Sequence, residues 1–296
     1  MLRIITDSAS DLPKDYIEKH KLHVIPTPVV IDEVDYLDGK TIQTEEFYNI
    51  LDDIKRDVKT YHINPAMFTD AFLPYAKAGD SVIYLCFSTG IAGTFNAANI
   101  AKETLLEEYP EFDLTIIDSK CASIGFGLVV SKLVTMLEHG ASKEELIEAA
   151  DYYITHVHHV FTVHTLAYLI KGGRLTKFKG TLAETLDMKP ILIVDGNGAL
   201  AVIKTVRGRK KSLKYLVEYA KENSSVMEGA TVALCHGEDK ESREFMLSVI
   251  EQEIRPGEVL VGTVGCAIGA HTGRGLIGFC FFDADDGKYQ RYFESV

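Results

Sequence analysis

The chain has 296 residues, 46% hydrophobic content and a formal net charge of −12, enough length and apolar material for two ordinary domains with a core in each. The negative charge disfavours nonspecific attraction to nucleic-acid phosphates. Five scattered cysteines (Cys86, Cys121, Cys235, Cys266 and Cys280) include no Cys-x-x-Cys pair, which speaks against a disulfide framework and a zinc site.

At the N-terminus a short apolar run meets Asp7 too early for a signal peptide, and no apolar run approaches the roughly 20 residues of a spanning helix. A reducing, cytoplasmic setting is expected. Residues 2–6, 24–31, 81–87 and 114–117 read as buried strands, short and rich in β-branched residues. Residues 93–109, with Phe95, Ala98, Ala101 and Leu105 at helical spacing, read as a helix that stops before Pro110. This alternation predicts a mainly parallel α/β unit. A helix over 123–139 is closed by Gly140, and the next, from Ser142, opens on a capping box with Glu145.

Residues 158–163 look extended and lead to a short helix over 165–170 that Gly172-Gly173 ends. Residues 190–194 and 199–206 flank Asp195-Gly196-Asn197-Gly198, a hairpin signal because these residue types tolerate the positive φ of tight turns. Helices over 210–223 and 241–254 and strands over 231–235, 259–264 and 276–282 complete a half that reads as α+β with a mixed sheet. The expected division is 1–156 and 157–296.

Four segments place hydroxyls, glycines or a histidine at predicted strand ends, where ligands gather in α/β sheets. They are 6–11, 60–65, 87–94 and the glycine-rich loop 269–275. In the third, a strand runs through Ser88, Thr89, Ala92 and Gly93 into a helix with Thr94 near its start. Free amides and the positive dipole end of such a helix suit an anion. An equally economical reading is that Thr94 simply caps the helix. His271, in the fourth segment, can donate a hydrogen bond or balance an anion.

Several motifs in order give the chain a resemblance over nearly its whole length. They are Ile5-Thr6-Asp7-Ser8-Ala9-Ser10-Asp11-Leu12-Pro13, the 88–94 segment followed by Phe95-Asn96-Ala97-Ala98, the run from Val163-His164-Thr165-Leu166 to Lys171-Gly172-Gly173-Arg174, Lys189-Pro190-Ile191-Leu192, and the segment with His271. The sequence resembles the DegV family of bacterial fatty-acid-binding proteins. The resemblance implies a two-domain α/β architecture with a buried acyl tunnel. A fatty-acid carboxylate would sit near the domain junction on threonine and serine hydroxyls, helped by a histidine. It further implies a partner, a separate ATP-dependent fatty acid kinase that makes an acyl phosphate for phospholipid synthesis, with Arg174 in the docking role.

Candidate carboxylate residues are therefore Thr60, Ser88, Thr89, Ala92, Gly93, Thr94, His271 and Arg274, and candidate tunnel residues are Phe161, Val163, Leu166, Leu169, Leu186 and Ile191. The chain departs from the family pattern in three places. Tyr61 and Ala92 stand where relatives have serine, and Arg274 where many have proline. Ser88, Thr89, Thr94 or amides near Gly93 are candidates to replace the missing hydroxyl, with Tyr61 or His62 closing the site. Two basic segments, around Lys171 to Lys179 and Lys204 to Lys214, read as solvated charge or as a surface for an anionic partner or membrane headgroups.

The enzymatic alternative is a hydrolase or phosphotransferase using Ser8 and Asp7, or Ser88. It lacks a Gly-x-Ser-x-Gly elbow and a phosphate-binding glycine loop. His156, His158, His159 and His164 have no cysteine or carboxylate at a ligand spacing nearby, so neither a metal nor another cofactor is expected.

Overall fold

The computed structural model describes residues 1–53, 56–175 and 187–293. In chain order the first elements are β1 (Leu2–Asp7), α1 (Lys14–Lys19), β2 (His23–Ile25), β3 (Pro28–Ile31), β4 (Val34–Leu37), α2 (Thr44–Leu51), β5 (Val58–Thr60), α3 (Pro65–Ala78) and β6 (Ser81–Cys86). They continue with α4 (Thr94–Glu108), β7 (Leu114–Asp118), α5 (Ser123–Glu138), α6 (Lys143–His156), β8 (Val157–Thr162) and α7 (Ala167–Lys171). The last are β9 (Met188–Val194), β10 (Leu200–Arg207), α8 (Arg209–Asn223), β11 (Thr231–His236), α9 (Lys240–Glu253), β12 (Glu258–Thr263), α10 (Cys266–Thr272) and β13 (Ile277–Phe282).

Local chemistry accounts for many boundaries. Asn64 accepts the Met67 amide and Pro65 opens α3, while Gly79 at φ 64° closes it. The Ser142–Glu145 capping box is formed at α6. Asp195 accepts the amides of Asn197 and Ala199, which shapes the β9–β10 turn.

The first sheet is parallel, in the order β2-β1-β6-β7. The second has six strands in the order β10-β9-β8-β13-β11-β12, antiparallel except for the β11–β12 pair. This is the α/β architecture expected, a parallel sheet followed by a mixed one.

A small antiparallel sheet, β4-β3-β5, was not foreseen. The strand expected over 24–31 is two strands in two sheets, because Pro26 and Pro28 offer no N–H and the Thr27 amide is taken by Ser8 Oγ at 3.0 Å. The expected loop around His271 is also corrected: it is the last turn of α10, ending at Gly273 with φ 73°.

Buried side chains fill both faces of each main sheet. Phe68, Phe72, Tyr84, Ala98 and Leu105 pack α3 and α4 on the parallel sheet. Leu213, Leu216, Met246 and Phe279 pack α8 and α9 on one face of the mixed sheet. Between the sheets lies α5, whose Phe126, Val129 and Leu133 share one core with Ile83 and Leu85 of the first sheet and Phe161, Leu192 and Ala233 of the second.

Candidate functional site

A cavity, open at one side, lies where the first residues of α5 face β8 and β13. The loops after β1 and β6, together with β5 and α10, complete its wall. Its lining is mostly apolar and includes Phe87, Ile91, Phe161, Leu169, Leu200, Ile268 and Leu276. Strand alternation places His159 and Phe161 on the same face of β8. The same alternation sends Ile191 of β9 into the core beneath α8 and α9.

The polar rim is assembled from distant segments. Thr60 Oγ1, at the end of β5, lies 2.6 Å from His271 Nε2 in α10. The other nitrogen, Nδ1, is buried and has no hydrogen-bond partner among the described residues. A proton there would have no acceptor, so it belongs on Nε2, donating to Thr60 and leaving the threonine O–H free for a ligand. Burial, aided by the Arg174 guanidinium, pushes the His271 pKa down to about 4. The ring is therefore neutral at physiological pH.

Arg174 also lines the cavity, and its Nη1 donates to the Gly172 carbonyl at 2.6 Å. Desolvation lowers its pKa as well. At the start of α4 no side chain caps the helix, and the buried Thr94 faces the cavity beside Ala92. The helix N-terminus is thus available to an anion. Gly93 sits against the His62 ring, where a Cβ would lie 3.7 Å from Nδ1, and His62 and Tyr61 line the same rim.

Of the residues singled out in the sequence, Thr60, Ala92, Thr94, Phe161, Leu169, Arg174 and His271 meet at this cavity. Others have different work. Ser88 Oγ donates to the Gly198 carbonyl at 2.7 Å and fastens the β9–β10 turn to the loop before α4. Thr89 donates through both its amide and its hydroxyl to Asp118. Arg274 pairs with Asp52 at 2.9 Å and lies over the Tyr48 ring, outside the cavity. Val163 and Leu166 are buried in the shared core, and Leu186 lies outside the described residues.

The residues of the enzymatic alternative are structural fasteners. Asp7 accepts from the Tyr84 hydroxyl at 2.8 Å and from the amides of Phe87 and Ala9, with burial pushing its pKa up to about 6. Ser8 Oγ is engaged with Thr27 and Asp38, with no histidine or lysine among its partners. Asp38 in turn accepts the amides of Cys266 and Ala267, while Asp11 accepts that of Gly265, so two buried carboxylates hold the start of α10. Burial raises both of their pKa values.

Ala122 and Ser123, which the sequence does not single out, and His159, weighed there only as a metal ligand, also line the cavity. Their signal was faint, because a helix start and one of several histidines carry no pattern that marks a wall. His156 and His158 each bond to Asp283, and among the described residues no group of three or more His, Cys, Asp or Glu is placed to hold a metal ion.

A family model described as uncharacterised protein, DegV family, matches residues 1–284. A DegV domain-containing protein of Clostridium perfringens is 32% identical over 280 residues, covering 94% of this chain and 96% of its own length. Among solved structures, a stearic acid-binding protein from Eubacterium ventriosum matches with a TM-score of 0.85 at 31% identity, over 98% of this chain and 100% of that one. A DegV family protein from Thermus thermophilus, described for its fatty acid binding, matches with a TM-score of 0.85 at 25% identity, over 96% and 99% of the two chains.

Proposed function

The chain belongs to the DegV family, and from that premise we propose that it holds one long-chain fatty acid in the cavity and presents the carboxylate to a separate ATP-dependent fatty acid kinase. On this reading it is a cytoplasmic carrier without cofactor or catalytic residues. Residues 1–156 and 157–296 are its two domains, with the lipid between them and extending into the second. The kinase forms the acyl phosphate for phospholipid synthesis, and transient contact with a membrane surface accompanies exchange of the lipid.

The observation that carries this reading is the Thr60–His271 pair on the wall of a largely apolar cavity. Burial of an alkyl chain contributes about 0.8 kcal/mol per methylene, so ~14 to 18 carbons gain on the order of 10 kcal/mol before ordering costs. A carboxylate leaving water needs donors, and the Thr60 hydroxyl, Thr94 and the open amides of α4 provide them without an opposing charge. The stearic acid named for the Eubacterium ventriosum relative and the fatty acid binding described for the Thermus thermophilus one support the same ligand class.

Organic extraction of the purified chain followed by mass spectrometry tests the reading. One fatty acid per chain is expected. Absence of lipid, together with no uptake of added stearate, would overturn it. Arg174, which lines the cavity, is the residue we assign to kinase docking. Arg174→Ala should keep its lipid while acyl phosphate formation with the kinase falls, and equal loss of both would remove the docking role.

A further inference from the structure

We infer that the cavity is built to recognise an acyl chain bearing a neutral oxygen, a hydroxyl or keto group, through His159 and Ser123. This rests on the fatty-acid reading and specifies which fatty acids the site favours.

His159 is 6% exposed, yet it lines the cavity rather than the packed core. Its one hydrogen bond among the described residues is from the Ala122 amide to Nε2, at 3.5 Å, the long limit of such a contact. Nε2 therefore accepts, the ring proton sits on Nδ1, and that N–H has no acceptor among the described residues. An N–H left so costs its desolvation energy unless a ligand or water meets it.

The fold makes room for this ring. Gly125, in the first turn of α5, faces it so closely that a Cβ there would lie 2.2 Å from Nε2. Beside it, Ser123 also lines the cavity; its hydroxyl donates to Asp11 and its oxygen is engaged with the Cys235 thiol, which leaves one lone pair to accept. One donor and one acceptor thus stand together on a wall formed by β8 and α5, whereas the carboxylate-facing pair stands on β5 and α10.

A hydroxyl on the chain satisfies both groups, accepting from His159 and donating to Ser123. A keto oxygen satisfies His159 alone. An ordinary methylene satisfies neither. A second carboxylate is disfavoured, because burial keeps the imidazole neutral, its pKa down to about 3, and so it offers no counter-charge.

The test is displacement of a fluorescent fatty acid from the delipidated full-length chain by stearate and by stearates carrying a hydroxyl or keto group in the distal half of the chain. A net hydrogen bond of about 0.5–1.5 kcal/mol corresponds to a preference of about 2- to 12-fold for the best-placed oxygenated isomer over stearate. In His159→Leu the preference should vanish. In His159→Asn, whose amide NH2 takes the place of Nδ1, it should persist. Equal displacement by stearate and every oxygenated isomer on the unmodified chain overturns the inference and leaves the carrier reading intact, as does a preference that survives in His159→Leu. Failure of stearate itself to displace the probe removes both.

Discussion

Thr60 and His271 are 211 positions apart in sequence and 2.6 Å apart in space, and neither has a local pattern that announces the other. Replacing Thr60 by Val keeps the shape and removes the hydroxyl. We expect fatty-acid affinity to fall by about 1 kcal/mol or more, roughly fivefold, in calorimetric titration. Ser88, Thr89 and Arg274 show the converse difficulty. They have the composition of head-group residues, but their partners Gly198, Asp118 and Asp52 are supplied by the fold.

His159 offers a pH test at the same scale. Its folded pKa is about 3 against an unfolded value of about 6.5, so its neutral ring favours the native state above pH ~6.5, and that contribution is lost as pH falls toward 3. The stability of His159→Phe relative to the unmodified chain should therefore improve by about 1.4 kcal/mol per pH unit on acidification through that window, read from urea unfolding at several pH values. A constant difference would show that the ring titrates normally.

Elements with their own punctuation were legible. The helix at Ser142, the hairpin at Asp195 to Gly198 and the strand at 81–87 needed only local signals, and each forms near the expected bounds. The β2–β3 division and α10 were not legible, because each is decided by a remote side chain. Ser8 takes the amide between the prolines, and Asp38 takes two amides at the start of α10. Asp38→Ala leaves those buried donors without a partner. It should lower unfolding free energy by about 1–3 kcal/mol and weaken lipid binding, since α10 carries His271. Gly125→Ala should cost about 1–3 kcal/mol in the same assay, because the new methyl meets the His159 ring and overpacks the start of α5.

At the scale of the whole molecule, the order of strands and helices was readable from periodicity, while the shared core was not. Hydrophobic patterning marks which face of α5 is buried but cannot say that two sheets bury it together. The cavity follows from that arrangement, since it lies where α5 begins and the two sheets part. A ligand there binds the native state alone. Adding fatty acid at about 100 times its dissociation constant should raise unfolding stability by about 2.7 kcal/mol over the delipidated chain, seen as a higher thermal midpoint.

The carboxylates that secure α10 belong to residues 11 and 38, and the amides they accept belong to residues 265 to 267. Asp11 and Gly265 are separated by 254 positions. During synthesis, then, the early segments leave the ribosome with acids that have no helix to hold, and the cavity gains its α10 wall only after residues 265 to 267 have been made. A chain stalled before α10 would be a poor container however well its first sheet had formed.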